Sequence, residues 1–295
     1  HTYVAWCWDM GDTYGLPFAM NGAGNAQHST AQYKFGASSM LFDGTGDGVL
    51  VSDSSKNNEY FNFGASGDFT MECWVRLNAV DTATYALIDI RGNHGDYVEL
   101  YYTDAGSGRF DVAGTNITTI QGSTTPLINT WYHLAVVRHG GTVTLYQDGT
   151  AIGSDATTGQ VGGTDYGVAI GQYKTADHST AEGEFLNGYI DEVRISNKAR
   201  YTSAFTAPTT VFSNDANTLL LVHSDTSNGS TTFTDSSGAT KNTGGGITSY
   251  VAANTTYGQS IVTYTGTGSD ATVGHGLSST PEFVVIKKRS AAEEW

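Results

Sequence analysis

Along much of the chain, apolar and polar residues alternate with a period of two. They do so in short runs separated by Gly, Asn and Asp, the pattern of half-buried strands joined by turns. In "GDFTMECWVRL" Phe69, Met71, Cys73, Val75 and Leu77 share one face, and Thr70, Glu72, Trp74 and Arg76 the other. In "DYVELYYTD" Val98, Leu100 and Tyr102 oppose Tyr97, Glu99 and Tyr101. "SSMLFDGTGDGVLV" reads as strand, Gly/Asp turn and strand. "TWYHLAVVRHGGTVTLYQDGT" reads as a hairpin about "HGG" followed by a second turn at Asp148-Gly149. "YGVAIGQY" and "GYIDEVRIS" add further strands, and "NKARYTSAF" reads as a short helical turn. No helical period of useful length appears, so the pattern predicts an all-β sandwich or jelly roll.

The spacing also predicts an organisation. Residues 1–24 read as the terminal strand and loop of a small β unit, and 25–225 as the sandwich. Residues 226–246 read as a Gly/Ser/Thr-rich linker, and 247–295 as the start of a second small β domain. "TLLLVH" inside the polar stretch after 212 reads as a strand that closes the edge of the sandwich, because exposed it would invite aggregation. The apolar runs "YVAWCW" and "EFVVIKK" predict strands of one kind of small unit, packing on each other or on neighbouring copies. With an apolar strand at each end, the chain reads as a piece of a longer polypeptide.

One strand raises a chemical question. Strict alternation in "GYIDEVRIS" sets Tyr189, Asp191, Val193 and Ile195 on one row and Ile190, Glu192 and Arg194 on the other. Asp191 then sits among core residues, where a carboxylate must be paired, hydrogen-bonded or metal-bound. Metal ligation, a cap on backbone amides and a partner Arg all meet that need. Glu192, on the opposite row, is expected to meet solvent or an Arg.

Composition narrows the function classes. The 295 residues include 37 Gly, 17 Tyr and only 4 Pro, and aromatics reach 12%, which a disordered chain would lack. The net charge of −15 comes with no basic stripe, the cluster Lys287–Arg289 being a solvated strand end, so nucleic acid is not an expected partner. No run of 18 apolar residues exists, and no membrane insertion is expected. Cys7 and Cys73, each within an aromatic strand, read as buried free thiols. The eight His lack metal-ligand spacing.

"LFDGTGDGVLV", "SGDFTMECWVRL", "TWYHLAVVRHGGTVTLYQDGT" and "NGYIDEVRISNKARYTSAF" occur in this order. Together, over roughly residues 29–212, they resemble the laminin G-like, concanavalin A-like lectin/glucanase family. "KFGASS" before the first and "RYTSAFTAP" after the last are similar to the versions in bacteriophage tail-fibre and other virion proteins. The resemblance implies a two-sheet antiparallel jelly roll at a virion or other extracellular surface. Its partners would be other virion proteins, copies of itself and a host surface glycan. It also implies a structural calcium between the turn after the first strand and the final strand, with Asp43, Asp47 and Asp191 as ligands; calcium takes six to eight oxygens, and a Gly-rich turn exposes carbonyls.

Glucanases of this fold place acids as Glu-x-Asp-x-x-Glu on one strand face, and no such run occurs; "EGEF" (Glu182, Glu184) lacks the third acid. The expectation is therefore a non-enzymatic module that binds carbohydrate for host adhesion, or one that serves as a fibre spacer or capsid decoration. Sugar rings stack on exposed aromatics. Tyr97 and Tyr101, on one strand face with Glu99, and the loop residues Tyr85, Tyr166 and Tyr173 are the candidates.

Overall fold

The structure, a computed structural model, describes residues 18–52, 61–81, 83–91, 96–104, 108–157, 159–161, 167–173, 183–215, 217–237, 240–242, 249–254, 257–264, 272–277 and 279–286. Within these the chain is all-β, with no helix long and apolar enough to cross a membrane. It divides into two compact units at Gly238/Ala239.

The first unit is a two-sheet antiparallel sandwich, a jelly roll. One sheet has seven strands: β1 (Ala19–Ala23), β4 (Gly48–Ser52), β13 (Val168–Ile170), β6 (Tyr85–Arg91), β7 (Tyr97–Thr103), β8 (Arg109–Gly114) and β9 (Ile117–Gln121), in that spatial order. The other runs β12 (Thr150–Ala156), β11 (Thr142–Gln147), β10 (Trp131–His139), β5 (Phe69–Leu77), β14 (Asn187–Ser196), β3 (Ser39–Asp43) and β2 (Gln27–Ser29), with β15 (Thr218–Val222) also paired to β14. The faces predicted for β5 and β7 are those observed: Phe69, Met71, Cys73, Val75 and Leu77 meet Val98, Leu100 and Tyr102 in one core between the sheets. Each such side chain, taken out of water, contributes about 1.5–3 kcal/mol. Cys73 is a free thiol there, and burial pushes its pKa far up. Cys7 lies outside the described residues.

The free edge of β14 is shared by two strands distant in sequence. β3 pairs with Asn187–Ile190, and β15 pairs with Val193–Ser196. At the junction the register of β14 against β5 shifts, and Glu192 takes a left-handed φ of 53°. Such a bulge puts two residues where one is expected and breaks the alternation. The strict two-face reading of "GYIDEVRIS" is therefore wrong: Ile190, Val193 and Ile195 point into the core, and Asp191 does not.

β15 is the closing strand that its apolar run predicts, with Leu220 and Val222 in the core. Beyond it, the stretch read as a linker from 226 is part of the sandwich through 237. Phe233 enters the core, the Asp235 carboxylate accepts from Phe18 N (3.0 Å) and Leu221 N (3.2 Å), and the Ser237 hydroxyl donates to Leu219 O (2.8 Å). Residues 18–24 likewise belong to the sandwich, since β1 pairs with β4, and not to a separate unit as expected. Burial of alternate apolar groups decides both boundaries; polar composition marks a linker only where no such groups recur.

The outer face of the eight-stranded sheet is covered by the segment after β14. Residues 197–205 form bends and no helix, and Tyr201, Phe205 and Phe212 cover Ala135, Trp74 and His133. Under this cover lies Glu72, with Arg194, His133 and Tyr201 around it.

The second unit holds a three-stranded meander, β16 (Thr240–Asn242), β17 (Ser249–Asn254) and β18 (Gln259–Tyr264), so it begins earlier than residue 247. The described part of "EFVVIKK" does not form the predicted strand: residues 281–286 have no ladder partner among the described residues, and Phe283 to Ile286 are exposed. The predicted strand "YVAWCW" lies outside the described residues.

Candidate functional site

The three carboxylates expected to share calcium do not converge. Asp43 and Asp47 flank a turn held by positive φ at Gly44 and Gly46. Asp47, buried, accepts from Asn25 N (2.7 Å) and Asp43 N (2.9 Å) and so ties this turn to the one after β1. Burial pushes its pKa up. Asp43 accepts from Thr45 N (2.8 Å) and Asn25 Nδ2 (3.0 Å). Asp191 lies four residues along β14 from Asn187, the residue opposite Asp43, a separation of roughly 13 Å at 3.3 Å per residue. Among the described residues no group of three or more His, Cys, Asp or Glu is arranged to hold a metal ion. These residues do not fit the calcium site that the resemblance implies.

Asp191 instead caps backbone. Its Oδ2 accepts from Lys34 N (2.8 Å) and Phe35 N (3.1 Å) and pins the loop before β3 across the outer face. Its Oδ1 is buried with no hydrogen-bond partner. Burial, with Glu192 and Asp225 nearby, pushes its pKa up to about 7 against the two amides. A carboxyl whose pKa is higher folded than unfolded (about 3.9) stabilises while protonated, and that stability is lost as pH rises from about 4 through 7. Asp191→Asn keeps an acceptor for both amides and removes the charge. We expect its melting temperature to overtake the wild type's as pH rises from 5 to 8, by an amount equivalent to on the order of 3 kcal/mol. Parallel pH profiles in thermal melts would refute this.

Glu192, expected to meet solvent or an Arg, is buried at the bulge and meets neither. It accepts from Phe212 N (2.6 Å) and from His223 Nδ1 (2.9 Å), and this hydrogen bond raises the His223 pKa. His223 and His28 line a polar cleft of about 320 Å³ with Ser224, Asp225, Thr232 and Thr234. Burial lowers the His28 pKa; its Nε2 lies 3.0 Å from Thr232 O and its Nδ1 2.7 Å from the Ser224 hydroxyl. These histidines fasten residues 223–232 to the sheet.

The functional candidates gather on the outer face of the seven-stranded sheet. Alternation on β6, β7 and β8 sends Asp89, Arg91, Tyr97, Glu99, Tyr101, Arg109 and Asp111 to this side while their neighbours fill the core. Register sets Asp89 opposite Glu99, Arg91 opposite Tyr97, and Tyr101 opposite Asp111. Arg91 is the hub. Its Nε donates to Asp89 (2.9 Å), its Nη2 lies 3.5 Å from Glu99, and its guanidinium is flanked by the rings of Tyr97 and Tyr173 at 4.3 and 4.4 Å. Arg109 is paired with Asp111 (2.9 Å). Burial first, then Asp89 and Glu184, push the Glu99 pKa up to about 9. Burial and Asp111 raise Tyr101 to about 12.

Tyr97, Tyr101 and Tyr173 thus come together on one face. Tyr85 does not join them: it is in the core, with its hydroxyl donating to Asp81 (2.7 Å). Tyr166 lies outside the described residues. Sequence reading missed Asp89 and Arg91, although they stand two apart like the residues of β7. A register shift between Ala86 and Ile88 places Leu87 and Ile88 both in the core, so "YALIDIR" reads as a continuous apolar run.

A family model described as the concanavalin A-like lectin/glucanases superfamily matches residues 43–204, and a model of a domain of unknown function matches residues 187–295. No curated protein matches. Similar solved structures include a putative carbohydrate binding protein from Bacteroides ovatus (17% identity, TM-score 0.45), with 79% of this chain and 55% of that one covered. Domain 4 of an extracellular arabinanase from Geobacillus stearothermophilus, in complex with arabinotriose, is 17% identical with a TM-score of 0.45, covering 61% and 82%. Tailspike protein 2 of the Escherichia coli O157:H7 bacteriophage CAB120 is 12% identical with a TM-score of 0.48, covering 72% and 30%. The chain therefore spans about half the length of the Bacteroides protein. With a family model matched over more than half of its residues and the sandwich that the family requires, the chain belongs to the concanavalin A-like lectin/glucanase superfamily.

Proposed function

We propose that this protein is a non-catalytic carbohydrate-binding module on a virion or other extracellular surface, with its sugar site on the outer face of the seven-stranded sheet. One observation carries the reading. Arg91 Nη2, a donor, and Glu99 Oε1, an acceptor, are both buried there without hydrogen-bond partners among the described residues. Buried polar groups are nearly always satisfied, so an adjacent unfilled pair needs an explanation. Two neighbouring sugar hydroxyls fill it, one accepting from Arg91 and one donating to Glu99. Tyr97 and Tyr173 fix the guanidinium in place. Tyr101, on the same face, offers its ring for stacking.

The virion setting is supported by the tail-fibre-like "KFGASS" and "RYTSAFTAP" segments, and copies of itself and other virion proteins are its proposed partners. In that setting the function is adhesion to a host glycan; a spacer or capsid decoration is the competing role. Glycan cleavage is a second reading, because the structure assembles acids from three elements (Asp89, Glu99 and Glu184) where a search along one strand finds none. Glu99 holds its proton at neutral pH, as a general acid must.

The full chain on an array of bacterial surface polysaccharides separates these readings. We expect binding that Glu99→Ala weakens about tenfold, the effect of losing a well-placed hydrogen bond, with cooperative melting kept. Silence across the array points to the spacer role. New reducing ends on incubation with a bound polysaccharide would make the protein an enzyme.

A further inference from the structure

We infer that the outer face of the eight-stranded sheet carries a second saccharide site, one for acidic sugars, where the carboxylates of a uronate-bearing chain meet Lys34 and Arg76. This site shares no residue with the sugar site on the seven-stranded sheet. Register builds it. Arg76 on β5 stands between Trp131 on β10 and Tyr189 on β14, and all three lie opposite the core rows of their strands. One step back along the same row of β5 is Trp74, and Lys34 Nζ lies 3.9 Å over its ring. The loop that carries Lys34 is held there by Asp191, which accepts from Lys34 N and Phe35 N. Phe212 covers Trp74, whereas Lys34, Arg76 and Trp131 stay half-buried.

Charge marks the site. Among the described residues of the sandwich, Arg91, Arg109, Arg194, Lys198 and Arg200 pair with carboxylates. Arg138 is spent on the carbonyls of Phe63 and Gly67. Lys34 and Arg76 form no ion pair with a described carboxylate and meet aromatic rings instead. The Arg76 guanidinium is 5.5 Å from the Tyr189 ring, and only its Nη1 is engaged, donating to Asn78 Oδ1 (2.8 Å). A ring face orients a cation without neutralising it, and the rest of the fork is left for a planar carboxylate. The acids on this side accept from other groups: Asp191 from the loop amides, Asp225 from Ala37 N, and Asp43 from Thr45 N and Asn25 Nδ2. A chain of net charge −15 opposes a densely charged polyanion such as DNA. The rings favour a sugar: Trp131, in the row of Arg76, offers a pyranose a stacking face while the cations take its carboxylates.

The test is calorimetric titration of the full chain at pH 7 with oligosaccharides of galacturonate, of guluronate, and of alternating glucuronate and N-acetylglucosamine. The expected result is that at least one binds, and that its methyl ester binds about tenfold more weakly, the loss of one charge-assisted hydrogen bond. Arg76→Gln and Lys34→Gln should each cost about the same factor, and added salt should weaken the acid but not the ester. Glu99→Ala, on the other sheet, should leave this binding unchanged. Cooperative melting checks each variant, and Lys34→Gln, which gives up a ring contact alone, decides the matter if Arg76→Gln does not fold. Equal affinity for acid and ester, or wild-type binding by the Lys34 variant, overturns the inference. A loss confined to Glu99→Ala overturns it too, because the acidic sugar then sits in the other site. Polyglutamate or single-stranded DNA binding as tightly through Lys34 and Arg76 would make this an anion site and not a saccharide site. If none of the three acidic oligosaccharides binds, the inference falls, while the site on the seven-stranded sheet stands or falls with Glu99→Ala on the polysaccharide array.

Discussion

A chain ending at Asn217 does not fold to the sandwich, whereas one ending at Gly238 does. This expectation follows from what residues 218–237 supply. Leu219, Leu220, Val222 and Phe233 are core residues contributed by this arm. Truncating a single buried Leu to Ala costs about 2–5 kcal/mol, and a domain has only about 5–15 kcal/mol in hand. The arm is also fastened by polar contacts to distant parts of the chain: Ser38 Oγ donates to Ser224 O (2.6 Å), Ala37 N donates to Asp225 (2.7 Å), and Thr30 N donates to Asn228 Oδ1 (3.0 Å). Without the arm, half of β14 becomes an open edge beside exposed Val193 and Ile195, an invitation to aggregate. Near-ultraviolet circular dichroism and gel filtration of the two truncated chains read the outcome. Cooperative melting of the shorter one would show that the sandwich closes without its arm.

Replacing Glu72 by Ala lowers stability by about 3–5 kcal/mol, the cost of leaving a buried partner charge uncompensated. Glu72 is fully buried on the covered face of β5. One oxygen receives Arg194 at 2.7 Å; the other receives the Tyr201 hydroxyl at 2.8 Å and His133 Nε2 at 3.2 Å. Burial raises its pKa, but His133 and Arg194 more than offset that and leave it below the ordinary glutamate range. The sign follows: a depressed carboxyl stabilises above its unfolded value of about 4.3, and that contribution is lost as pH falls through the folded one. For a domain of this size the loss corresponds to a fall of roughly 10 °C in melting temperature at pH 7. The gap between variant and wild type should narrow on acidification below about pH 4. A loss under about 1 kcal/mol at pH 7 would mean that Arg194 finds another partner, and a gap constant with pH would rule out the carboxylate as its source.

The period-two pattern determined the sandwich. On β5 and β7 each apolar row is the observed core row, because a strand whose register is unbroken must send alternate side chains to opposite faces. The closing role of β15 was legible for a similar reason: four apolar residues in a row in a polar stretch have to be buried. So was the sidedness of Tyr97, Glu99 and Tyr101. Only the tertiary structure decided the fate of Asp191, because the bulge at Glu192 exists where β3 and β15 meet on one edge of β14, and nothing local to "YIDE" announces two partners from opposite ends of the domain. Likewise, Asp89 and Arg91 reach Glu99 through hydrogen-bonded register between strands, and Tyr173 joins them from a separate loop. Alternation along a strand is a property of neighbouring residues and can be read directly. Cross-strand adjacency and burial under a distant loop are set by which chain segments pair, and that pairing is chosen by the whole core.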